Sequence, residues 1–590
     1  MDERIVHGAA SSTRAGKRWG RRLGILAGVL ALIAVGANYG RQVFVLGRPI
    51  LTILPRMERR YNQHHYKSAL ELLASIEPDI AGLAHKLSWV SSMDRFPLAG
   101  RYAQELTGAL TDASKIGSAA VAWHQALGRH RRVLTFHLLQ RLKEPAWIQT
   151  AQAVQAIYHF PSFPGERTSL ATAIMREKKA LAPANGLANL IIRNREGFKK
   201  VFGLHHTVRF LLLFQDSGEL RSTGGFLADY GYLVWKNGRV SLSLEPSISS
   251  LGEKMHYHIP APWVLRTYFG AKGVSFINAN VNPNVPTTAR IIERMYGTVP
   301  GHAPINGVIF VDSWMADTML KFFGPVRANG VTYTASNLNL RMEFMAEHGG
   351  LPNSLRMSFL NDIANVLFRR VAKTRHIIGF LSTVHRALEQ KHLIIFANNH
   401  SLEKWVEANH WGGNIPSMRD RNSLLVVNNN YGGLKDNYFL STGITVTIQH
   451  ESPRKYLEVV QTTWTLNGVT NGWLVGTYRG WVQICVPEGT QLVSLSGSHF
   501  YGVRETQCPG IARVAYGTGI QIPARANTHS KPSRLTLTWV LSLPRLSDPL
   551  RLTEIMQPGL AQQTFSYRTG TGLKTIIQRQ NVTAKVALSN

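Results

Sequence analysis

The run LGILAGVLALIAVGANY at Leu23–Tyr39 carries no charge, and it constrains the chain more than any other feature. A helix rising about 1.5 Å per residue barely crosses a hydrocarbon layer ~30 Å thick over that length. Apolar residues between Val43 and Leu54 extend the contact. Arg14, Lys17, Arg18, Arg21 and Arg22 precede the run, the order of a signal anchor with residues 1–22 as a cytoplasmic tail. Arg41, Arg48, Arg56, Arg59 and Arg60 follow it, so charge asymmetry alone does not orient the segment. Val35-Gly36-Ala37 also fits a signal-peptidase site, and cleavage there is the competing reading. Both readings put most of the chain outside the cytoplasm, in the periplasm or beyond.

A chain of 590 residues exceeds what one hydrophobic core organises, so two or three folded units are expected behind the anchor. Lys and Arg number 66 against 35 Asp and Glu, a formal net charge of +31. Such an excess fits an anionic polymer or lipid surface as partner, nucleic acid, or an exported protein adapted to acid. Nucleic acid fits worst, because the basic residues are scattered and no recognition helix, zinc finger or aromatic RNA-binding signature is present. Cys485 and Cys508 are the only cysteines. In an oxidising compartment they would close a loop worth roughly 3 kcal/mol as a disulfide; the alternative is two unrelated buried thiols.

From residue 40 to 203 apolar residues recur at helical spacing, as in Leu70, Leu73, Ile76, Ile80, Leu83 and Leu87, which predicts a helical stalk or bundle. The texture changes after Thr207. VRFLLLF reads as a buried strand, and the following segment as a hairpin turning at Lys236-Asn237-Gly238. TTARIIERMYG and SWMADTMLKFF read as helices flanking the strand GVIFV, the second helix stopping at Gly324-Pro325. Residues 204–440 are therefore expected to form an α/β layered core. From about Ser423 strand-like segments dominate, and residues 441–590 are expected to form an antiparallel β-sandwich.

Several spaced motifs then occur in one order: FQDSGELRSTGGFLADYGYLVWKNGRV, IPAPWVL, NPNVPTTARIIERMYG, INGVIFVDSWMADTMLKFFGPV, LRMSFLNDIANVL, the Trp-Gly-Gly of NHWGGNI, VVNNNYGGLKDNYFL, YRGWVQICVPEGTQL and EIMQPG. Together they resemble the bacterial family known as the domain of unknown function number four thousand and twelve, from about Arg48 to the end. The resemblance implies an anchored protein and a topology, but no activity. The core more distantly resembles the LytR-CpsA-Psr enzymes, which transfer polyprenyl-diphosphate-linked glycopolymers to envelope acceptors. That second resemblance is an analogy of fold, which does not fix function.

The analogy implies roles for particular residues. Arg221 and Arg356 would clamp a lipid-linked diphosphate, since a guanidinium offers two donors to two phosphate oxygens and keeps its charge at any envelope pH. Gly224 and Gly225 would bring the backbone close to phosphate, although hairpin geometry explains them as well. Lys435 would add a point charge, or simply be a solvated turn lysine. Asp216 and Asp229 are the acidic candidates for holding a divalent cation such as Mg²⁺ or orienting an acceptor. Competing with this, Arg221 would pair with Glu219 or brace the Gly224-Gly225 turn. Asn284 and Asn306 stand where the family pattern usually carries Asp, which lowers the case for metal-dependent catalysis. Asp312 precedes a helix and is expected to cap it. His256 and His258 would share a face on a strand, without a third zinc ligand. The outcome is an envelope protein that binds, and in one reading transfers, an anionic or polyprenyl-phosphate-linked glycan. The rival is a non-catalytic scaffold with a degenerate transferase-like core.

Overall fold

The computed structural model describes most of residues 206–590 and, before them, the helix α1 (Glu144–His159) and scattered positions between 52 and 193. The anchor segment Leu23–Tyr39, Cys508 and the side chain of Arg356 lie outside the described residues. Among the described residues no helix is long and apolar enough to cross a membrane. The chain divides into two units, residues 1–133 with 141–192, and residues 134–140 with 193–590. In the first unit the described residues are helical, and Ile76 and Ile80 of the predicted stripe are buried.

The second unit begins with a five-stranded sheet in the order β3-β2-β1-β4-β7. Its strands are β1 (Val208–Asp216), β2 (Phe226–Lys236), β3 (Arg239–Leu244), β4 (Gly307–Asp312) and β7 (Leu393–Ala397). β1 and β4 are parallel and the remaining pairs antiparallel. The predicted hairpin is present, with Lys236 opposite Arg239. β1 occupies the centre, which is why its sequence is continuously apolar: Leu211 and Leu213 face one side, Phe210 and Leu212 the other, and all four are buried.

Helices α2 (Ile248–Glu253), α3 (Trp263–Phe269) and α4 (Val285–Tyr296) pack on the Leu211 face. In α4, Val285, Ala289, Ile292 and Tyr296 fall on one buried stripe at helical spacing, and Pro286 stands in the first turn, where its missing N–H costs nothing. α5 (Ser313–Phe323) follows β4 directly. The short hairpin β5 (Val326–Ala328) and β6 (Val331–Tyr333) joins α5, α6 (Leu338–Glu347) and α7 (Asn353–Lys373) around Leu320, Tyr333, Leu338 and Ile363. α8 (Ile377–Glu389) and α9 (His400–Ala408) flank β7.

The C-terminal region contains two further sheets. One is ordered β12-β15-β10-β9-β17-β18, with β20 also paired to β9, and the other β13-β14-β11-β8-β16-β19. The first comprises β9 (Leu440–Ser452), β10 (Lys455–Leu466), β12 (Gln491–Ser496), β15 (Ser533–Leu543), β17 (Gln563–Thr569), β18 (Gly572–Gln578) and β20 (Leu588–Ser589). The second comprises β8 (Arg421–Asn430), β11 (Tyr478–Pro487), β13 (Phe500–Gln507), β14 (Arg513–Ile522), β16 (Asp548–Glu554) and β19 (Val582–Lys585). Residues of both sheets share one core, with Trp464 and Trp539 of the first against Leu424, Val482 and Ile520 of the second. The buried indoles are satisfied: Trp464 donates to Asn428 Oδ1 at 2.7 Å, and Trp539 to Thr462 Oγ1 at 3.2 Å.

Two expectations need correction. β8 is an interior strand of a C-terminal sheet, so the α/β core ends before Arg421 and not at residue 440. The C-terminal sheets are also not wholly antiparallel, because β16 runs parallel to β8, and β17 and β20 run parallel to β9. Alternation of residues along a strand reports which face is buried, not which neighbour it joins.

Candidate functional site

Because β1 and β4 are parallel, with Gln215 opposite Asp312, their carboxyl ends emerge side by side. In open α/β sheets the crevice beyond such ends is the usual ligand position. Here it holds a buried knot of charged side chains contributed by segments far apart in sequence.

After Asp216 the chain makes a 3-10 turn at Ser217–Glu219, and a second such turn, Asp436–Tyr438, packs against it. Asp216 Oδ1 accepts from the Gly218 N–H at 2.8 Å and from the Tyr438 hydroxyl at 3.0 Å; that hydroxyl is also 3.1 Å from Ser313 Oγ. Lys435 Nζ lies 2.9 Å from Asp216 Oδ2, 3.1 Å from Glu219 Oε2 and 3.8 Å from Glu343 Oε2. The other Glu219 oxygen receives Arg221 Nη2 at 2.6 Å. Arg221 Nη1 donates to the main-chain carbonyl of Asn430, and the guanidinium lies 5.0 Å from the Tyr431 ring centre and 5.6 Å from that of Phe226. Arg221 is 1% exposed.

Two cations, Arg221 and Lys435, thus face three carboxylates, Asp216, Glu219 and Glu343, a formal balance of −1. Burial alone would lower the Lys435 ammonium, but Asp216, Glu219 and Glu343 outweigh it and hold it above its ordinary value. Burial, and then the Asp216 charge, raise the Tyr438 hydroxyl well above its own. Both therefore keep their protons as donors to the knot. A divalent cation does not fit this donor set, since the Lys435 ammonium already bridges Asp216 and Glu219.

The TGGF glycines are explained by close approach. A Cβ on Gly225 would fall on the main-chain carbonyl of Asp216, and Gly224 adopts φ +133° with the Gln215 amide beside it. Gly559 of the EIMQPG segment abuts the Gly224 carbonyl, with no room for a side chain. Gln557 ties the same region together: Nε2 donates to the carbonyls of Asn428 at 2.8 Å and Arg221 at 3.2 Å, while Oε1 accepts from the Asn428 N–H at 2.8 Å. Asn280 donates to Thr223 Oγ1 at 2.9 Å and to the Gly225 carbonyl at 2.8 Å. Three of the motifs, FQDSGELRSTGGF, VVNNNYGGLKDNYFL and EIMQPG, therefore converge on one junction between the α/β core and the C-terminal sheets.

A second pair sits behind it. Asp312 caps α5, accepting from the Met315 N–H at 3.1 Å, and its other oxygen meets His392 Nδ1 at 2.8 Å. Burial raises Asp312, which His392 opposes. One turn on, burial pushes Asp317 up to about 7.

Among the sequence candidates, Asp216, Arg221 and Lys435 come together, with Gly224 and Gly225 beside them. Lys435 is 8% exposed, so it is no solvated turn residue. Asp229 is buried on β2, in register with Phe214. Arg356 falls within α7. Cys485 is fully buried and disulfide-bonded. Asn284 caps α4 from its backbone position, with its side chain accepting from Ile415 N–H at 3.0 Å and donating to Thr287 Oγ1 at 2.8 Å. Asn306 Oδ1 accepts from Arg209 N–H at 2.9 Å. His256 and His258 are exposed and lie outside any strand. Tyr438, Ser313, Gln557 and His392 were not foreseen; Tyr438 and Gln557 stand inside quoted motifs, whereas His392 carries no local signal. A cavity of about 240 Å³ opens at the other end of the sheet, lined by Val208, Phe210, Asn306, Asn398 and Leu402 among others.

Comparison with curated proteins and with solved structures found no match. Residues 206–345, from the start of β1 into α6, match the family described as Protein of unknown function (DUF4012). Arg221, the TGGF turn, Asp312 and α5 all fall within the span that matches this family.

Proposed function

We propose that the chain is an extracytoplasmic envelope protein, tethered through Leu23–Tyr39, that binds an anionic cell-envelope glycopolymer and does not transfer it. The observation that carries this reading is the closed state of the knot. Arg221 and Lys435, the groups a diphosphate clamp would need, are buried and neutralised by Asp216, Glu219 and Glu343. Bringing a diphosphate to a junction already formally negative would cost both desolvation and repulsion. The layered core is read as that of a LytR-CpsA-Psr relative whose crevice has become a structural joint to a C-terminal sandwich. The net charge of +31 then serves the surface, where it draws a polyanion by long-range attraction.

The experiment is isothermal titration of the full chain in detergent with an oligogalacturonate, as a carboxylated glycan, and with dextran as a neutral one. Salt-sensitive binding of the acidic glycan, retained in Arg221→Lys, is expected. Absence of binding, or binding lost with Arg221→Lys while the protein stays folded, removes the reading.

A further inference from the structure

We infer that a strip of aromatic rings and guanidinium groups, where α3 meets β11 and β13, is the site that takes an acidic saccharide. This rests on the glycan-binding reading above and gives it a place.

The strip is built from both halves of the unit. Trp263 of α3 stands 5.3 Å from Trp481 of β11 and 5.6 Å from Tyr501 of β13, measured between ring centres. Tyr268 stands 5.8 Å from Tyr501 and 5.0 Å from Tyr431, and Phe269 stands 5.4 Å from Tyr431. Trp481 and Tyr431 are buried, so they serve as the floor. Phe269 and Tyr501 are each 43% exposed, which is far more than packing of the joint requires.

The backbone of β13 is bent to achieve this. Tyr501 and Gly502 both adopt left-handed conformations, φ +65° and +64°, and the register with β14 slips between Phe500 and Arg504. A tyrosine in that region is strained, and a bulge of this kind re-aims a side chain. The Thr518 hydroxyl braces it, 3.1 Å from the Phe500 carbonyl and 3.0 Å from that of Gly502.

Positive charge lies along the same strip. The Arg504 guanidinium stacks 3.9 Å from the Trp263 ring centre, where cation–π attraction holds it. Arg266 and Arg479 are exposed on α3 and β11, and the Arg479 carbonyl holds the Tyr431 N–H at 2.9 Å. Among the described residues none of these three arginines forms an ion pair. Ring faces are negative and attract the weakly positive C–H face of a pyranose, while a guanidinium matches a carboxylate or phosphate with paired donors. The two together describe a sugar chain that carries acidic groups. Single-stranded nucleic acid has related chemistry, rings and phosphates, but an anchored extracytoplasmic chain does not meet it routinely.

The test uses the full chain in detergent and a fluorescently labelled oligogalacturonate, read by anisotropy. Phe269→Leu keeps apolar bulk and removes a ring, Tyr501→Gly removes a ring and relieves the left-handed strain, and Arg504→Gln removes a charge. Each is expected to weaken binding about tenfold, roughly 1.4 kcal/mol, with a melting temperature unchanged in Phe269→Leu and Arg504→Gln and equal to or above that of the wild type in Tyr501→Gly. If the wild type ignores the glycan, the functional reading itself fails. If the wild type binds and all three variants bind equally well, the reading stands and this site is wrong. If a single-stranded oligonucleotide binds more tightly and responds to the same variants, the ligand class is wrong.

Discussion

Removing the Arg221 guanidinium tests whether the motif arginine is a structural tie. In Arg221→Met the apolar bulk remains, but the Glu219 oxygen that held Nη2 at 2.6 Å and the Asn430 carbonyl both lose a donor at a site 1% exposed. Breaking a buried pair from one side costs about 3–5 kcal/mol. Lys435 remains 3.1 Å from the other Glu219 oxygen, which places the expected loss near the lower end, about 3 kcal/mol. Replacing both partners, Arg221→Met with Glu219→Leu, leaves no orphaned charge and should recover roughly 2 kcal/mol of that loss. Chemical unfolding followed by tryptophan fluorescence reports it, since Trp464 and Trp539 are fully buried in the adjoining core. A single variant within about 0.5 kcal/mol of wild type, a typical surface value, would refute the structural role. Strict additivity of the two substitutions would refute the pairing.

Other outcomes follow from the same geometry. Tyr438→Phe, which deletes the hydroxyl donated to Asp216, should cost about 1–2 kcal/mol in the same unfolding experiment. Gly225→Ala drives a methyl onto the Asp216 carbonyl and should cost at least roughly 1–3 kcal/mol, or prevent folding, checked by melting temperature and soluble yield. Glu458 is fully buried on β10, and burial pushes it from 4.5 up to about 7. Between those pH values the folded chain holds a proton that the unfolded chain has lost, so stability is full below about 4.5, falls as pH rises through 7, and is level above. The Glu458 share of the drop is on the order of 3 kcal/mol, and Glu458→Gln should make the fall of the melting temperature over that window less steep than in the wild type.

Local features were legible where a local cause fixes them. The Lys236–Arg239 hairpin, the start of α5 capped by Asp312 and its end at Gly324 all depend on neighbouring residues. The Glu219 pairing of Arg221 was one of two readings open in the sequence, because residues two apart can meet at a turn. What could not be read was convergence. Lys435 lies 216 positions from Glu219, and Gln557 lies 336 from Arg221, so only the fold decides that the lysine is buried rather than solvated. His392 reaches Asp312 across 80 positions, with nothing near it to announce a partner. The β8 boundary was misplaced for a similar reason: a strand's hydrophobicity does not say which of two sheets it joins.

Whether the knot is a joint or a phosphate clamp is decided most directly by titrating the full chain with geranyl diphosphate, with and without Mg²⁺, in parallel with Arg221→Lys. A closed joint predicts no saturable heat in either protein that depends on Arg221. Saturable binding by the wild type that Arg221→Lys abolishes without unfolding would contradict it and restore the transferase chemistry.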